Sequence, residues 1–186
     1  MTEQNPHLID VIIRDHRGFE RAFAELESGS GSSEYRRQLA DHVIADLVRH
    51  AVAEEEFMYP EARERLASGD LLVDQELAEH AEAERLMKEL EGLPPSDARF
   101  DQLLGKLIID VRHHIDEEER ELLPKLQSVC PQKMLYHLGE KVLLAKDGAP
   151  TRPHPGAPDR PPANLIIDPG IGLIDKIRDA IRDRKT

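Results

Sequence analysis

Residues 50–60 read His-Ala-Val-Ala-Glu-Glu-Glu-Phe-Met-Tyr-Pro, and residues 114–124 read His-Ile-Asp-Glu-Glu-Glu-Arg-Glu-Leu-Leu-Pro. The two stretches lie 64 residues apart, and each has a glutamate four residues after its histidine and a proline ten residues after it. Residues four apart lie one turn apart on the same face of a helix, so each stretch presents an imidazole and a carboxylate together. These stretches therefore predict two matching helices.

The same offset extends to both sides of these stretches. His16 recurs as His80, which adds one histidine to each half of the repeat. The matched aliphatic positions are Leu39, Val43, Leu47 and Met58 with Leu103, Leu107, Val111 and Leu122, and Ile9, Ile13, Phe23 and Leu26 with Val73, Leu77, Met87 and Leu90. A repeat that returns histidine, glutamate and aliphatic residues together predicts a pseudo-twofold bundle with two equivalent half-sites for metal.

Four stretches have apolar residues at steps of three and four, which places them on one face of an amphipathic helix. They predict helices over residues 6–27, 33–67, 71–91 and 97–126, separated by Ser/Gly- or Pro-containing breaks. Pro60 has no backbone N–H, so we expect it to kink or end the second helix beyond the histidine and glutamate. Short links between long helices favour an antiparallel up-down four-helix bundle, so the predicted fold class is all-α.

The chain beyond these helices divides into a short helical segment and an extension. Residues 134–146 form an amphipathic segment that continues or caps the bundle, which gives a first predicted domain of residues 1–146. Residues 147–163 are rich in proline and predict an extended strap, the first part of a second region, 147–186. That region is predicted to end in a short helix, because Ile171, Ile174, Ile177 and Ile181 have helical spacing. The apolar face of this helix needs a partner, which is its own bundle, a second copy in a homodimer, or another molecule.

The bulk composition narrows the function classes. The chain has 37 acidic and 25 basic residues and a formal net charge of -12. This charge disfavours nucleic acid and anionic membranes as partners, because both require clustered positive charge. Cys130 is the single cysteine, which excludes an intramolecular disulfide and a cysteine-rich metal site. No apolar stretch approaches the roughly 20 residues that span a bilayer, so we expect a soluble cytoplasmic protein.

Six polar residues are predicted to converge in the bundle core: His16, His50, Glu54, His80, His114 and Glu118. Two metal ions that share both glutamates and take two histidines each would use all six groups and leave open positions for a small ligand. Imidazole and carboxylate ligands suit iron, zinc, manganese or copper. The alternative is a core with ordinary buried polar residues. That alternative is poor, because unpaired buried polar groups are costly and these recur at a constant offset.

The order His, His-x-x-x-Glu, His, His-x-x-x-Glu resembles that of the hemerythrin-like family in its bacterial HHE cation-binding form. The resemblance covers residues 5–130 and includes Asp15-His16, Glu79-His80 and the stretches 50–60 and 114–124. It implies a non-haem di-iron centre in which the four histidines are terminal ligands. Glu54 and Glu118 would then bridge the two iron ions.

One position departs from the family pattern. Oxygen-carrying hemerythrins have a further histidine four residues after the histidine of the third helix, and here that position is Glu84. Three interpretations are open for Glu84 and its repeat mate Glu20: an extra ligand, a hydrogen-bond partner for an iron-bound water, or a polar end of the inward stripe. For Glu20 the last two are favoured. A carboxylate in place of an imidazole should favour the oxidised metal, which favours redox turnover or sensing over reversible oxygen carriage.

Neighbouring residues receive other interpretations. His113 lies about 100° around the helix from His114, and the 64-residue offset selects His114 as the inward residue. Tyr59 lies half a turn of the helical wheel from His50, so we expect it outside the ligand shell. The other glutamates of the two acidic runs are expected to face solvent, namely Glu55, Glu56, Glu117 and Glu119.

The sequence leaves three functions open. The first is a hemerythrin-like di-iron protein that binds or reacts with oxygen, peroxide or nitric oxide, in stress response or in iron and redox sensing. Peroxide disproportionation would make such a protein an enzyme. The second is a metal-stabilised helical interaction module whose extension carries the signal. The third is a ferritin-like iron oxidase or storage protein, which the motif disfavours because ferritin-like sites use Glu-x-x-His at three-residue spacing.

Overall fold

The computed structural model describes residues 6–154 of the chain, and all of its regular elements are helical. The segments are α1 Leu8–Glu27, α2 Ser33–Ala53, π1 Glu54–Met58, α3 Tyr59–Arg65, α4 Gly69–Glu91, α5 Ala98–Glu117, π2 Glu118–Leu122, α6 Leu123–Val129 and α7 Gln132–Gly148. The predicted all-α class is confirmed. The predicted terminal helix and most of the predicted strap lie outside the described residues.

Four long rods form the bundle. They are α1, the continuous α2–π1–α3, α4, and the continuous α5–π2–α6. Neighbouring rods pack as α1 on α2, α2 on α4, α4 on α5 and α5 on α1. Side chains cap two of the rods, since Ser32 accepts a hydrogen bond from the N–H of Tyr35 and Asp97 accepts one from that of Arg99. The predicted helical bundle is therefore confirmed.

Each of the two continuous rods contains one widened turn directly before its proline. In π1 the backbone N–H of Tyr59 bonds the carbonyl of Glu54, five residues earlier. Pro60 cannot donate to the carbonyl four residues before it, and the wider turn accommodates that lost bond without ending the helix. The rod therefore runs on to Arg65. In the other rod, the backbone N–H of Leu123 bonds the carbonyl of Glu118 in the same way, directly before Pro124.

Helix α7 is a fifth helix that packs along α1 and α2. Its Gly139 lies so close to the backbone carbonyl of Pro6 that a side chain there would collide with it. Near the end of α7, Lys146 forms an ion pair with Asp15 of α1. Residues 134–146, which are predicted to continue or cap the bundle, thus pack along its side. Among the described residues, no helix has the length and apolarity needed to cross a bilayer.

The bundle interior consists of two apolar clusters separated by a polar level. Cluster one includes Leu8, Ile12, Met58, Leu77 and Leu122, and cluster two includes Phe19, Phe23, Leu47, Leu86 and Val111. Each rod contributes to one cluster before its histidine and to the other cluster after it. The fold therefore places the histidines at the middle of the bundle, between two apolar layers that exclude water.

Candidate metal centre

The six residues predicted from the repeat come together at this middle level. His16 and His50 face each other with ring centroids 5.1 Å apart, and His80 and His114 with ring centroids 4.7 Å apart. We refer to the first pair as half-site one and to the second pair as half-site two. The carboxylates of Glu54 and Glu118 lie between them, and both side chains are fully buried.

The Nε2 atoms of the histidines point toward these two carboxylates. In half-site one, His16 Nε2 lies 3.3 Å from Glu118 Oε2, and His50 Nε2 lies 2.9 Å from Glu54 Oε1. In half-site two, His80 Nε2 lies 3.5 Å from Glu54 Oε2 and 3.2 Å from His114 Nε2. Glu54 thus touches both half-sites, as a bridging carboxylate must.

The opposite ring nitrogen, Nδ1, faces a second carboxylate in all four histidines. The pairs are His16 with Glu119 at 2.8 Å, His50 with Asp15 at 3.3 Å, His80 with Glu55 at 2.8 Å and His114 with Glu79 at 3.2 Å. A carboxylate at Nδ1 accepts that proton and leaves the lone pair on Nε2, which is the arrangement that metal-binding histidines use. The partners therefore orient each imidazole toward the centre.

These Nδ1 partners correct one sequence prediction. Glu55 and Glu119 were expected to face solvent, but their side chains are only 14% and 20% exposed and contact His80 and His16. The sequence contains evidence for this role, because the 64-residue offset that relates the histidines also relates Glu55 to Glu119. It also relates Asp15 to Glu79.

The central groups have the chemistry of a cation site. Both carboxylate oxygens of Glu54 and both of Glu118 are buried without a hydrogen bond to any described residue, as is His16 Nε2. Buried carboxylates in this condition are costly unless a positive charge lies among them. One ligand atom from each of His16, His50, Glu54 and Glu118 lies within 4.8 Å of the others, and the same holds for Glu54, His80 and His114. The residues present therefore fit a bound metal cation.

The histidines and Glu54 shift each other's protonation. Burial lowers the pKa of His50, but the carboxylates of Glu54 and Asp15 outweigh it and raise the pKa to about 9. Burial also lowers the pKa of His80, but the carboxylates of Glu54 and Glu55 outweigh this effect and raise the pKa to about 9. Burial raises the pKa of Glu54, yet His50 and His80 hold it well below its usual value. A metal ion must therefore compete with protons for these imidazoles.

Tyr59, which the helical wheel places outside the ligand shell, contacts one of the predicted ligands. Its side chain is buried, and its hydroxyl lies 3.1 Å from His80 Nε2. The extra residue in the π1 turn explains the difference, because it rotates the following residues back by about 100° relative to a regular helix. Tyr59 therefore faces half-site two.

Two polar side chains of half-site two have no polar counterpart in half-site one. The repeat mate of Tyr59 is Leu123, and the repeat mate of the buried Glu76 is Ile12. Glu76 Oε2 lies 2.9 Å from His114 Nδ1, and burial raises the pKa of this carboxyl. Half-site two therefore has a hydroxyl and a carboxylate where half-site one has two aliphatic side chains.

A cavity of about 300 Å³ opens onto the centre between α2, α4 and α5. His50, His80 and His114 line it, together with Pro150, Arg152 and His154 from the chain after α7. Phe19 lines the cavity with its ring 5.1 Å from that of His50, and its smaller repeat mate, Ala83, lines the same cavity.

Glu84 and Glu20 lie apart from the His/Glu groups. Glu84 lines the cavity and accepts a hydrogen bond from the backbone N–H of His154 at 2.7 Å, and burial raises its pKa. Glu20 forms an ion pair with Arg112, with an N–O distance of 3.1 Å. In the described structure neither carboxylate belongs to a group of converging ligand atoms.

The bundle and its central histidines and glutamates define a helical metal-binding protein. The family model of the hemerythrin HHE cation-binding domain matches residues 7–126. The chain belongs to this family. It is therefore a hemerythrin-like cation-binding domain, and its buried His/Glu groups could hold the metal.

Individual relatives agree with this assignment. A hemerythrin-like protein of Schizosaccharomyces pombe is 26% identical over 171 residues, which cover 91% of this chain and 84% of that protein. A DNA nickase of Nostoc sp. is 30% identical over 127 residues, 68% of this chain but only 35% of the nickase. The crystal structure of a hemerythrin HHE cation-binding domain-containing protein from Mycobacterium kansasii has a TM-score of 0.65 at 23% identity, covering 76% of this chain and 85% of that one. This likeness shows the shared fold.

Proposed function

We propose that this protein is a hemerythrin-like non-haem di-iron protein that binds or reacts with oxygen, peroxide or nitric oxide. Its setting would be oxidative or nitrosative stress, or the sensing of iron and redox state. The observation that supports this most is the convergence of four imidazoles on two buried carboxylates whose oxygens make no hydrogen bond to any described residue.

The ligand set favours two ions held in a shared site. His16 and His50 would hold one ion, His80 and His114 the other, and Glu54 and Glu118 would bridge them. Two adjacent iron ions supply the exchange of two electrons with a small oxidant. The ratio of histidine to carboxylate suits iron better than magnesium or calcium, which prefer oxygen ligands throughout.

The protein contributes orientation, exclusion of water and a hydrogen-bond donor. The Nδ1 carboxylates hold each imidazole in one tautomer, and the two apolar clusters separate the centre from bulk solvent. Burial, with the nearby charges of Glu54 and Glu118, raises the pKa of Tyr59 well above its usual value. Its hydroxyl therefore keeps its proton at neutral pH and remains a donor at half-site two.

The cavity gives the proposed ligand a route to the centre. It is much larger than oxygen, peroxide or nitric oxide requires, and it reaches His50, His80 and His114 but not His16. We therefore place ligand entry at the side of half-site two, past Ala83 and Glu84.

Metal analysis with Mössbauer spectroscopy tests the proposal. Protein purified from iron-replete cells should contain two iron ions per chain, with the spectra of a magnetically coupled pair. Folded protein without iron under these conditions would overturn the di-iron assignment. Rapid mixing of the reduced, loaded protein with oxygen, hydrogen peroxide and nitric oxide tests the second part, and inertness toward all three would contradict it.

A further inference from the structure

Glu76 is a buried carboxylate that the symmetry of the repeat does not require. It lies on α4 one turn before His80, is 4% exposed, and its Oε2 makes no hydrogen bond to a described residue. Its repeat mate Ile12 lies one turn before His16 and is fully buried in cluster one. A buried acidic group is therefore present at half-site two and absent from the matching place in half-site one.

The contact that Glu76 makes is with a predicted metal ligand. Its Oε2 lies 2.9 Å from His114 Nδ1, but Glu79 is the hydrogen-bond acceptor for that nitrogen, at 3.2 Å. Asp15, the repeat mate of Glu79, has the same role for His50. Since one Nδ1–H is satisfied by one acceptor, Glu76 is not needed to set the tautomer of His114.

The remaining physical effect of Glu76 is its charge. In the described chain, its one ion-pair contact is with His114, and no lysine or arginine pairs with it. Ligand atoms of Glu76, His114 and Glu118 lie within 4.8 Å of one another. An anion beside a metal-bound imidazole increases the basicity of that ligand and stabilises a higher charge on the metal.

We propose that Glu76 is a positioning residue that acts through His114, so that half-site two holds the more oxidised of the two metal ions. This inference rests on the proposed di-iron function. The two ions then differ in reduction potential although their four histidines and two glutamates are related by the repeat. In the one-electron-reduced protein, the ferric ion occupies half-site two and the ferrous ion half-site one.

Potentiometric titration of the full chain loaded with two iron ions tests this assignment. The isosteric Glu76→Gln variant removes the charge, so the ferric-over-ferrous preference of half-site two should fall by about 10–100-fold. One of the two one-electron potentials should therefore rise by about 60–120 mV, and the other should stay unchanged. Glu76→Asp keeps the charge and should restore most of the wild-type separation.

Glu91→Gln is the matched control, because Glu91 is another partly buried carboxylate of α4 that lies outside the converging ligand groups and near the end of the helix. It should leave both potentials unchanged. If Glu76→Gln retains two iron ions with wild-type potentials, the inference is wrong while the di-iron function stands. If Glu76→Gln loses one iron ion, Glu76 is a ligand and the positioning role is wrong. A wild-type chain that binds no iron overturns the proposed function and this inference together.

Discussion

The two half-sites share one ligand pattern but differ in their surroundings. Half-site one has aliphatic and aromatic side chains at three positions, namely Ile12, Leu123 and Phe19. Half-site two has Glu76, Tyr59 and Ala83 at the matching positions, and both of its histidines line the cavity, whereas His50 but not His16 of half-site one does. Under the proposed di-iron function, we expect half-site one mainly to hold its metal, and half-site two also to tune its metal and admit the ligand.

The comparison also separates binding residues from residues that modify them. All four histidines have an Nδ1 carboxylate partner, and those partners obey the 64-residue offset as strictly as the histidines do. The residues that depart from the offset do not belong to the predicted ligand set. The two halves of the repeat therefore share the geometry of the predicted ligands and differ at positions that touch those ligands or the cavity.

The largest expected effect comes from removing one histidine of half-site two. His114→Ala should weaken metal binding there by more than about 100-fold, because it removes a ligand and leaves buried carboxylates without compensation. His113→Ala is the matched control, since that neighbouring side chain is 62% exposed. Metal analysis after dialysis measures the difference. Equal losses in the two variants would refute the assignment of His114 to the site.

The affinity of the centre for metal should rise with pH. Metal binding must displace protons from His50 and from His80, each of which has a pKa of about 9. Burial lowers the pKa of His114, but Glu76 and Glu79 raise it well above its usual value. Below pH 9, affinity should therefore rise with pH by about tenfold per pH unit for each proton displaced.

Competition of a chelator for Zn²⁺ at pH 7, 8 and 9 measures this dependence without redox chemistry. We expect the binding constants to rise toward pH 9. Affinities that stay constant or fall over this range would contradict the displacement of protons from these imidazoles.

A smaller effect is expected from closing the cavity. Ala83→Phe places at half-site two the side chain that its repeat mate Phe19 has at half-site one, so it should slow azide binding to the loaded protein on the order of tenfold. The exposed Ala24 gives the control Ala24→Phe. Stopped-flow absorbance measures the rates. Unchanged azide entry with Ala83→Phe would exclude the cavity as the route.

The smallest effect should come from the tyrosine hydroxyl. Tyr59→Phe removes the hydrogen bond to His80 and should lower the free energy of unfolding by about 1 kcal/mol. Tyr136→Phe, at a 40% exposed tyrosine, should have no measurable effect. Urea denaturation of both variants decides this, and equal stabilities would show that the hydroxyl contributes nothing to half-site two.

The repeat predicted much of the site because its geometry is local. A spacing of four residues places His50 with Glu54 on one helical face whatever the helix packs against. The apolar positions on both sides of each histidine then require burial, which brings the four faces together. The same local periodicity predicted the third helix closely: the predicted range 71–91 differs from the observed Gly69–Glu91 by only two residues at its start.

Other features depended on contacts between helices. The π1 turn at Pro60 arises because packing on both sides of the proline holds the rod together, whereas local rules predict a kink or an end. The position of Tyr59 follows from that turn. The roles of Glu55 and Glu119 required knowledge of which neighbouring helix supplies an imidazole, which the periodicity of a single helix does not contain.

The sequence by itself determined the four-helix class, the family and the six groups that converge, because helical periodicity and a constant offset are local properties of the chain. The tertiary structure decided that the two halves are unequal. Glu76 matters because it contacts the ring of His114, and Tyr59 because it contacts the ring of His80, and each ring lies on a different helix from its partner. Distance and burial between helices set the electrostatics of a metal site, and these exist only after the rods have packed.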